Sequence, residues 1–204
     1  MLKSFPGETV RAIRLTLVFA LFTGLVYGVG MTGIIQVLFN SQANGSLITQ
    51  NGQVVGSKLI GQWFDPNDAR YFHPRPSATV DPSTGQPLPY AANNSAGSNY
   101  GPTNQNLISR VQAQVQQILT VEKNITNGVP VDMVTTDFSG LDPNISVANA
   151  DIQAQRVAAV RGISPAKMQA LVDKYTQGRF FGIFGEPCVN VLEINLALDN
   201  GEAG

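Results

Sequence analysis

The sequence predicts an α+β protein in which a single N-terminal transmembrane helix precedes one mixed α/β domain. Residues 15–39 form an apolar run without any charged side chain. The 165 residues that follow it have the length of one ordinary domain. Within them, segments of helical periodicity are mixed with short segments in which apolar and polar side chains alternate. These three observations favour the α+β class.

The apolar run is long enough to cross a bilayer, because ~25 residues at ~1.5 Å each span the roughly 30 Å hydrocarbon layer. Backbone amides in lipid must be paired within the segment, so we expect a helix. A cleaved signal peptide is the alternative, but its apolar part runs for only ~7–15 residues. A buried helix of a water-soluble protein fits less well, because nothing else in the chain is expected to surround it.

The charges beside the apolar run indicate its orientation. Lys3, Arg11 and Arg14 precede it against Glu8 alone, whereas residues 28–57 contain no basic side chain. Cationic flanks stay on the cytoplasmic side of a membrane. We therefore predict three parts: a cytoplasmic head (residues 1–14), a transmembrane helix (residues 15–39) and an extracytoplasmic, periplasmic α+β domain (residues 40–204).

The first half of the domain is predicted to contain a hairpin, a long loop region and a helix. The hairpin turns at Asn51-Gly52. Residues 65–104 are rich in Pro, Gly, Asn and Ser and are too long for an ordinary connection, so we expect an ordered functional loop region. The helix begins after Asn104 and carries one apolar stripe opposite a face of glutamines. The stripe comprises Leu107, Ile108, Val111, Val115, Ile118 and Leu119.

The second half is predicted to contain two helices and two strands. Ser146 caps a helix that ends at Gly162, and Ser164 with Pro165 begins the next. Short strands are predicted over residues 131–135 and 189–198. The second of these alternates leucine and isoleucine with Glu, Asn and Ala, as in a half-buried strand.

Composition excludes some classes of partner. The formal net charge is −1 and charged residues make up 13% of the chain, against ~25% in a typical soluble protein. Amides and hydroxyls take their place, and no basic patch is present, which argues against nucleic acid. Cys188 is the single cysteine, so no internal disulfide is possible, and we expect a small core side chain there.

Residues that could carry catalysis are few. His73 is the single histidine, and no Gly-x-Ser-x-Gly motif accompanies it, so an ordinary loop histidine is favoured over a hydrolase triad. No His or Cys pair has metal-ligand spacing. Asp132, Asp137 and Asp142 lie beside turn-forming residues, where bonding to the backbone is their usual role. We therefore predict neither a catalytic residue nor a metal site.

Small residues in the apolar run suggest a packing face. Gly24 and Gly28 form a Gly-x-x-x-Gly step, with Gly33 further along. Such residues let a second helix approach closely, although glycine is common in membrane helices generally. We predict that these three glycines pack against a partner helix.

Two loop segments are distinctive: residues 71–78 read YFHPRPSA, and residues 94–104 read NSAGSNYGPTN. Further segments are LIGQ (59–62), SGLDP (139–143), QRVA (155–158), GEPCVNVL (185–192) and NLALD (195–199). Together they resemble the family of the C subunit of the Kdp potassium-transporting ATPase (KdpC). The sequence departs from the family pattern at Ala96, where a second glycine is usual. It also departs at Asp137-Phe138, where a small Ser/Gly pair is usual, and at Asn144, where histidine is common.

The resemblance implies a non-catalytic accessory subunit that stabilises the assembly of an ATP-driven, high-affinity potassium uptake complex in a bacterial inner membrane. The implied partners are a channel-like potassium-binding subunit, a P-type ATPase subunit that hydrolyses ATP, and a small single-helix subunit. The family is described as a catalytic chaperone that raises the affinity of the ATPase subunit for nucleotide. No cofactor is expected to bind directly; ATP and potassium ions act in the complex. Because the domain is predicted outside and ATP is inside, this effect would be a coupling between distant sites.

We expect the two distinctive loops to contact the potassium-binding subunit at its external mouth, since their carbonyl and amide groups suit a polar, uncharged interface. The alternative is that they are tight turns folding the domain on itself. Outside the family, the competing classes are a membrane-anchored small-ligand binding module and an anchored hydrolase that uses His73. The candidate contact residues are Tyr71, Arg75, Ser77, Ser95, Ser98, Asn99, Thr103 and Asn104.

Overall fold

The computed structural model describes residues 5–123 and 125–202. Lys3 of the predicted head lies outside the described residues. The chain divides into two compact units, the first ending at Leu47 and the second beginning at Ile48. The second unit combines helices with two small antiparallel sheets, so the predicted α+β class is confirmed.

The first unit is helical over most of its length. Helix α1 (Phe5–Leu21) continues through a π-helical segment (Phe22–Tyr27) into α2 (Gly28–Leu38), and the short helix α3 (Asn40–Ala43) follows. Pro6–Leu38 is one helix of 33 residues that is long and apolar enough to cross a membrane, and its apolar window is fully exposed. The predicted apolar helix is therefore confirmed, and it extends N-terminally past residue 15.

The π-helical segment contains one of the three predicted packing glycines and ends beside the second. Gly24 lies within it and Gly28 begins α2. Just before Gly24, the Thr23 hydroxyl donates to the Phe19 carbonyl at 2.6 Å, a side-chain bond typical of a locally widened helix. A Cβ added at Gly24, Gly28 or Gly33 would meet no atom within 4 Å. These positions are open to a neighbouring helix, and their packing role stays a prediction.

The domain begins with the predicted hairpin. Strands β1 (Leu47–Gln50) and β2 (Gln53–Ser57) pair with each other. Asn51 and Gly52 at the turn both have positive φ, 52° and 79°. This conformation suits an Asn-Gly pair in a tight two-residue turn. The hairpin prediction is confirmed.

The second sheet has three short strands in the order β3-β5-β4, all antiparallel. They are β3 (Asn144–Ser146), β4 (Thr176–Gln177) and β5 (Cys188–Asn190). Ile145 lies opposite Val189, and both are buried. Helices pack onto this sheet and supply most of the core. The core comprises Phe72, Ile145, Ala150, Ala154, Val157, Ala158, Met168, Leu171, Val172, Val189, Val191, Ile194, Ala197 and Leu198.

Side-chain caps explain where the helices begin. Helix α4 (Gln105–Val121) follows Asn104, whose side chain accepts from the Asn106 amide. Helix α6 (Val147–Arg161) is capped by Ser146 and ends at Gly162 in the left-handed conformation. Helix α7 (Pro165–Tyr175) is capped by Ser164. All three helices begin at the predicted capping residues. None of the described side chains of α4 is fully buried, so its apolar stripe is partly exposed.

Two predicted strands are helical instead. Residues 131–135 contain the one-turn helix α5 (Val131–Val134), with Asp132 in its first turn. The segment from Val189 is a strand only to Asn190, after which the chain forms α8 (Val191–Asp199). The Asn190 side chain accepts from the Glu193 amide at 3.0 Å and so begins the helix. The strand predictions at both places were wrong.

Candidate functional site: loops fixed by buried amides

The first distinctive loop, residues 71–77, is called the arginine loop here. Its backbone is held by two buried amide side chains. Asn195 of α8 accepts from the Phe72 N–H and donates to the Phe72 carbonyl, both at 2.9 Å. Gln153 of α6 accepts from the His73 N–H at 2.7 Å and donates to the His73 carbonyl at 3.0 Å. Each amide thus pairs both backbone groups of one residue, as a neighbouring strand would.

Arg156 ties the start of the arginine loop to the end of α4. Its Nε donates to Glu122 Oε1 at 2.7 Å, and the two side chains are only 8% and 6% exposed. Its Nη1 donates to the carbonyls of Ala69 and Tyr71, at 2.7 and 3.0 Å. A buried ion pair with extra hydrogen bonds fixes geometry more than it adds stability. The loop is therefore a rigid element rather than a flexible connection.

His73 is held in place through both ring nitrogens. Its Nε2 lies 3.0 Å from the Asp68 carbonyl and its Nδ1 lies 3.5 Å from Arg156 Nη2. A neutral ring that donates from Nε2 and accepts at Nδ1 satisfies both contacts. Burial, together with the positive charge of Arg156, lowers the pKa of His73 below its usual value. The neutral side chain is thus a structural part of the loop, in line with the favoured sequence interpretation.

Arg75 is a half-buried side chain of the arginine loop. Its Nη1 forms an ion pair with Asp142 Oδ2 at 3.2 Å, and its carbonyl accepts from the Tyr90 hydroxyl at 2.9 Å. Burial, and the nearby carboxylates of Asp137 and Asp142, raise the pKa of Tyr90 above its usual range. Tyr90 therefore stays a neutral donor, which holds the backbone from which Arg75 projects.

Tyr71 begins the same loop and is held by α6 and α8. Its hydroxyl donates to Asp199 Oδ2 at 3.0 Å, and the Arg161 guanidinium lies 4.8 Å from the centre of its ring. Arg161 also donates to Asp199 Oδ1 at 2.9 Å. The polar end of Tyr71 is therefore used within the domain.

The second distinctive loop, residues 95–104, is called the serine loop. It is bonded to residues 136–139, which lead into the SGLDP segment. The Ser95 hydroxyl and the Ala96 N–H both donate to the Ser139 carbonyl, at 3.0 and 2.9 Å. The Ser98 hydroxyl lies 3.2 Å from that of Thr136. Asn99 adopts a positive φ of 53°, a conformation that asparagine tolerates better than most residues.

The turn at Gly140 brings the two loops together. Ser77 donates to the Gly140 carbonyl at 2.7 Å. Gly140 has a φ of 68°, and a Cβ there would lie 2.5 Å from Thr79 Cγ2 and 2.8 Å from the Ala96 carbonyl. Asp137 closes the turn by accepting from the amides of Gly140 and Asp142. The turn therefore requires a glycine at residue 140, both because φ is positive there and because the neighbouring atoms leave no room for a Cβ.

The predicted contact residues accordingly fall into two groups. Seven of them stabilise the domain through side-chain bonds, caps or backbone geometry, as the alternative interpretation of tight turns predicts. The eighth, Thr103, is exposed and has no such bond among the described contacts. Exposed parts of the loops remain available, so contact with a partner stays a prediction. The seven are Tyr71, Arg75, Ser77, Ser95, Ser98, Asn99 and Asn104.

The three aspartates have the predicted bonding to the backbone. Asp132 accepts from the Ser146 N–H at 2.7 Å and from the Asn149 side chain at 2.9 Å, which links α5 to the start of α6. Asp142 accepts from the Asn144 N–H at 3.0 Å. Asp137 closes the Gly140 turn. These carboxylates shape loops, and the prediction for them is confirmed.

A cavity of about 200 Å³ lies between the arginine loop and α4. Trp63, Phe64 and several prolines form its apolar wall. Two buried polar atoms on its lining, Arg75 Nε and Gln114 Oε1, have no hydrogen-bond partner among the described residues. One is a donor and the other an acceptor, so the cavity suits a small group that carries both functions, such as an amide.

The residues that sequence reasoning missed are the buried amides Asn149, Gln153 and Asn195. Each lies on the buried face of a helix, where apolar side chains are the rule. An amide in such a position needs a polar partner, and this is the signal that the sequence offered. Among the described residues, no group of three or more His, Cys, Asp and Glu side chains is placed to hold a metal ion.

The fold and the site define a class of protein with one candidate membrane span and one α+β domain whose polar loops are rigidly held and carry Arg75 as their single charged side chain. The sequence model of the family described as KdpC, the c chain of the K⁺-transporting ATPase, matches residues 9–200. The chain belongs to this family.

Individual relatives agree along nearly the whole chain. A potassium-transporting ATPase KdpC subunit of Paraburkholderia xenovorans strain LB400 is 49% identical over 192 residues, covering 94% of this chain and 96% of that protein. Its counterpart in Rhodopseudomonas palustris strain BisB18 is 51% identical over 193 residues, covering 92% and 95%. That of Methylococcus capsulatus strain Bath is 50% identical over 188 residues, covering 92% and 95%.

Proposed function

We propose that this protein is a non-catalytic accessory subunit of an ATP-driven, high-affinity potassium uptake complex in a bacterial inner membrane. The observation that carries the proposal is the family match over residues 9–200. The ATP-hydrolysing site belongs to a P-type ATPase partner. The other partners are a channel-like potassium-binding subunit and a small single-helix subunit.

The domain lies on the outer side of the membrane in this proposal. Support comes from the basic side chains at the start of α1 and their absence over residues 28–57. Labelling with a membrane-impermeant maleimide tests the orientation, in a Cys188→Ser background. In intact spheroplasts we expect Gln112→Cys, on the exposed face of α4, to react, and Val10→Cys, in α1, to react only after lysis. The reverse pattern would overturn the orientation.

The arginine loop and the serine loop meet the outer surface of the potassium-binding subunit. Support comes from their rigidity, since buried amides and the Gly140 turn hold both backbones before any partner arrives. A preformed surface loses little conformational entropy on docking. Its single charged side chain, Arg75, is ion-paired with Asp142, so the surface suits a polar interface with a protein partner.

Thr103 offers a test of this docking surface, because it is exposed in the serine loop. Thr103→Arg is expected to reduce the amount of potassium-binding subunit that co-purifies. Thr126→Arg, at another exposed threonine that lies outside the serine loop, provides the matched control. Equal recovery of the partner with both variants would count against the serine loop as a contact.

The subunit raises the affinity of the ATPase subunit for nucleotide indirectly, as a catalytic chaperone. With the domain outside and ATP inside, the effect requires coupling between distant sites, and such couplings typically change affinity by ~5–150-fold. ATP and potassium ions act in the complex rather than as cofactors of this chain.

The ATP dependence of potassium-stimulated hydrolysis tests this role. A complex that contains the full chain is expected to have a lower KM for ATP than one that contains only residues 1–47, by a factor in the ~5–150 range. The short chain keeps the helix and is the matched control for assembly. An equal KM in two intact complexes would contradict the chaperone role while leaving the assembly role standing.

A membrane-anchored small-ligand binding module is the second candidate. The cavity beside Arg75, with its unpartnered donor and acceptor, is the observation that favours it. Such a module would bind its ligand as an isolated protein and would keep that activity with any other apolar helix as anchor. Loss of function on exchanging the helix would favour the transport complex.

A further inference from the structure

The segment between β4 and β5 is an apolar loop that no described residue of the domain covers. We call residues 179–186 the phenylalanine loop; they read RFFGIFGE. Phe180, Phe181, Ile183 and Phe184 are 69%, 79%, 71% and 64% exposed. Four large apolar side chains on one short loop form a concentrated patch, and such patches usually mark an interaction site.

The loop has a defined structure of its own. Phe180 and Phe184 form an isolated antiparallel bridge. The N–H group of each donates to the carbonyl of the other, at 2.8 and 2.9 Å. The N–H groups of Gly182 and Ile183 donate to the carbonyls of Arg179 and Phe180, at 2.9 and 3.2 Å. The backbone donors of the tip are thus largely paired inside the loop.

The charges at the base of the loop cancel each other. Arg179 Nη2 donates to both carboxylate oxygens of Glu186, at 2.9 and 2.7 Å. Between these two residues the loop carries no charged side chain. The loop therefore presents an apolar tip above a neutralised polar base.

We propose that the phenylalanine loop inserts into the interfacial layer of the lipid bilayer and holds the domain against the membrane surface. Internal pairing of its N–H groups removes most of the cost of placing backbone in an apolar phase. Aromatic and aliphatic tips that enter only the headgroup and upper acyl region are typical of interfacial anchors. With no net charge, the loop should bind without help from anionic lipids.

The tether of the chain keeps the bilayer within reach of the domain. Helix α2 ends at Leu38 and β1 begins at Leu47, and nine residue steps span at most ~31 Å at ~3.4 Å each. Whatever the arrangement of the two units, a spanning α1–α2 helix keeps the domain next to the membrane. The lipid surface is then present at a high effective concentration. The inference rests on the membrane anchor of the proposed function.

Tryptophan fluorescence in nanodiscs of brominated phosphatidylcholine tests the inference with the full chain. All variants carry Trp63→Phe, which removes the single native tryptophan. Phe181→Trp reports on the loop and Phe22→Trp on the membrane helix. Phe138→Trp is the matched control, since Phe138 is 92% exposed and lies outside the loop.

We expect the emission of Phe181→Trp to shift to the blue and to be quenched most by bromines near the top of the acyl chain. Phe138→Trp should stay red-shifted and unquenched. Adding phosphatidylglycerol or salt should leave the loop signal unchanged, and Ile183→Asp beside the reporter should abolish it.

Three results would overturn the inference. An unquenched Phe181→Trp beside a quenched Phe22→Trp would show an anchored protein whose loop stays in water. A blue shift that appears only with the other subunits and without bromine quenching would assign the loop to a protein groove. A shift that depends on protein concentration in lipid-free detergent would assign it to a second copy. An unquenched Phe22→Trp would instead count against the anchor itself.

Discussion

At the scale of single residues, Gly140 decides whether the two polar loops can lie together. Its positive φ is costly for any residue with a Cβ, and a Cβ would also press on Thr79 and on the Ala96 carbonyl. Neither contact is the far end of a flexible chain, so the loops themselves would have to move apart.

Gly140→Ala is therefore expected to lower the free energy of unfolding of the domain by at least ~2 kcal/mol, since the left-handed conformation alone costs ~1–2 kcal/mol. Gly101→Ala is the matched control, because Gly101 has ordinary φ and open space around it. Its effect should stay within ~0.5 kcal/mol. Denaturant unfolding of the detergent-solubilised chain measures both. Similar losses in the two variants would contradict the packing described for Gly140.

His73 gives the domain a dependence on pH. Its pKa is lowered in the folded protein by burial and by Arg156, so the unfolded chain binds more protons in the range just below its ordinary pKa of ~6.5. The contribution of the neutral His73 ring to the free energy of unfolding is therefore fully present above pH ~6.5 and is lost as the pH falls below that value.

Melting temperature measured between about pH 7.5 and about pH 5.5, roughly one unit to either side of the ordinary histidine pKa, checks this expectation. The wild-type chain should melt at progressively lower temperature as pH falls, and His73→Gln should have a flatter profile. The variant removes the single imidazole, so carboxylates and termini are common to both chains. Parallel profiles would show that His73 titrates as it does in the unfolded chain.

At the scale of elements, most helices follow local signals and could be predicted, whereas α8 could not. Asn104, Ser146 and Ser164 cap the helices that follow them, as their side chains allow. In α8 the leucines and isoleucine at every second position mimic a strand. The helical spacing of Val191, Ile194, Asn195 and Leu198 is hidden because the stripe includes a buried asparagine.

The candidate site shows the same division. The loops themselves were recognisable from their glycines, prolines and serines, and the Asp turns from their neighbours. The bonds that hold the arginine loop come from Gln153, Arg156 and Asn195, which are far from it in the sequence. Pairing between a helix side chain and a distant loop backbone has no local pattern, so only the folded structure reveals it.

The membrane helix is the element whose packing can be tested directly. Gly28→Leu is expected to reduce co-purification of the partner subunits several-fold, because a large side chain prevents close approach at a Gly-x-x-x-Gly face. Gly30→Leu is the matched control, since a shift of two residues, ~200°, places it on the opposite side of the helix. Gly30 is likewise open, with nothing within 4 Å of an added Cβ. Equal effects would argue against a specific packing face.

At the scale of the whole molecule, the proposal is a helix in the membrane and a domain that acts from outside. In this proposal the domain presents polar loops to a protein partner and a separate apolar loop to lipid. Both surfaces are preorganised, the first by buried amides and the second by its own hydrogen bonds. Two attachments at different places would restrict the domain to one orientation, as long-range coupling to the ATPase requires.

Co-purification from bacterial membranes through a C-terminal tag, followed by potassium-stimulated ATP hydrolysis, tests the central claim most directly. The account predicts a complex of several subunits whose hydrolysis depends on potassium and falls when residues 48–204 are removed. A protein that purifies alone, with no associated ATPase, would contradict the assignment to a transport complex and leave the small-ligand binding module as the better account.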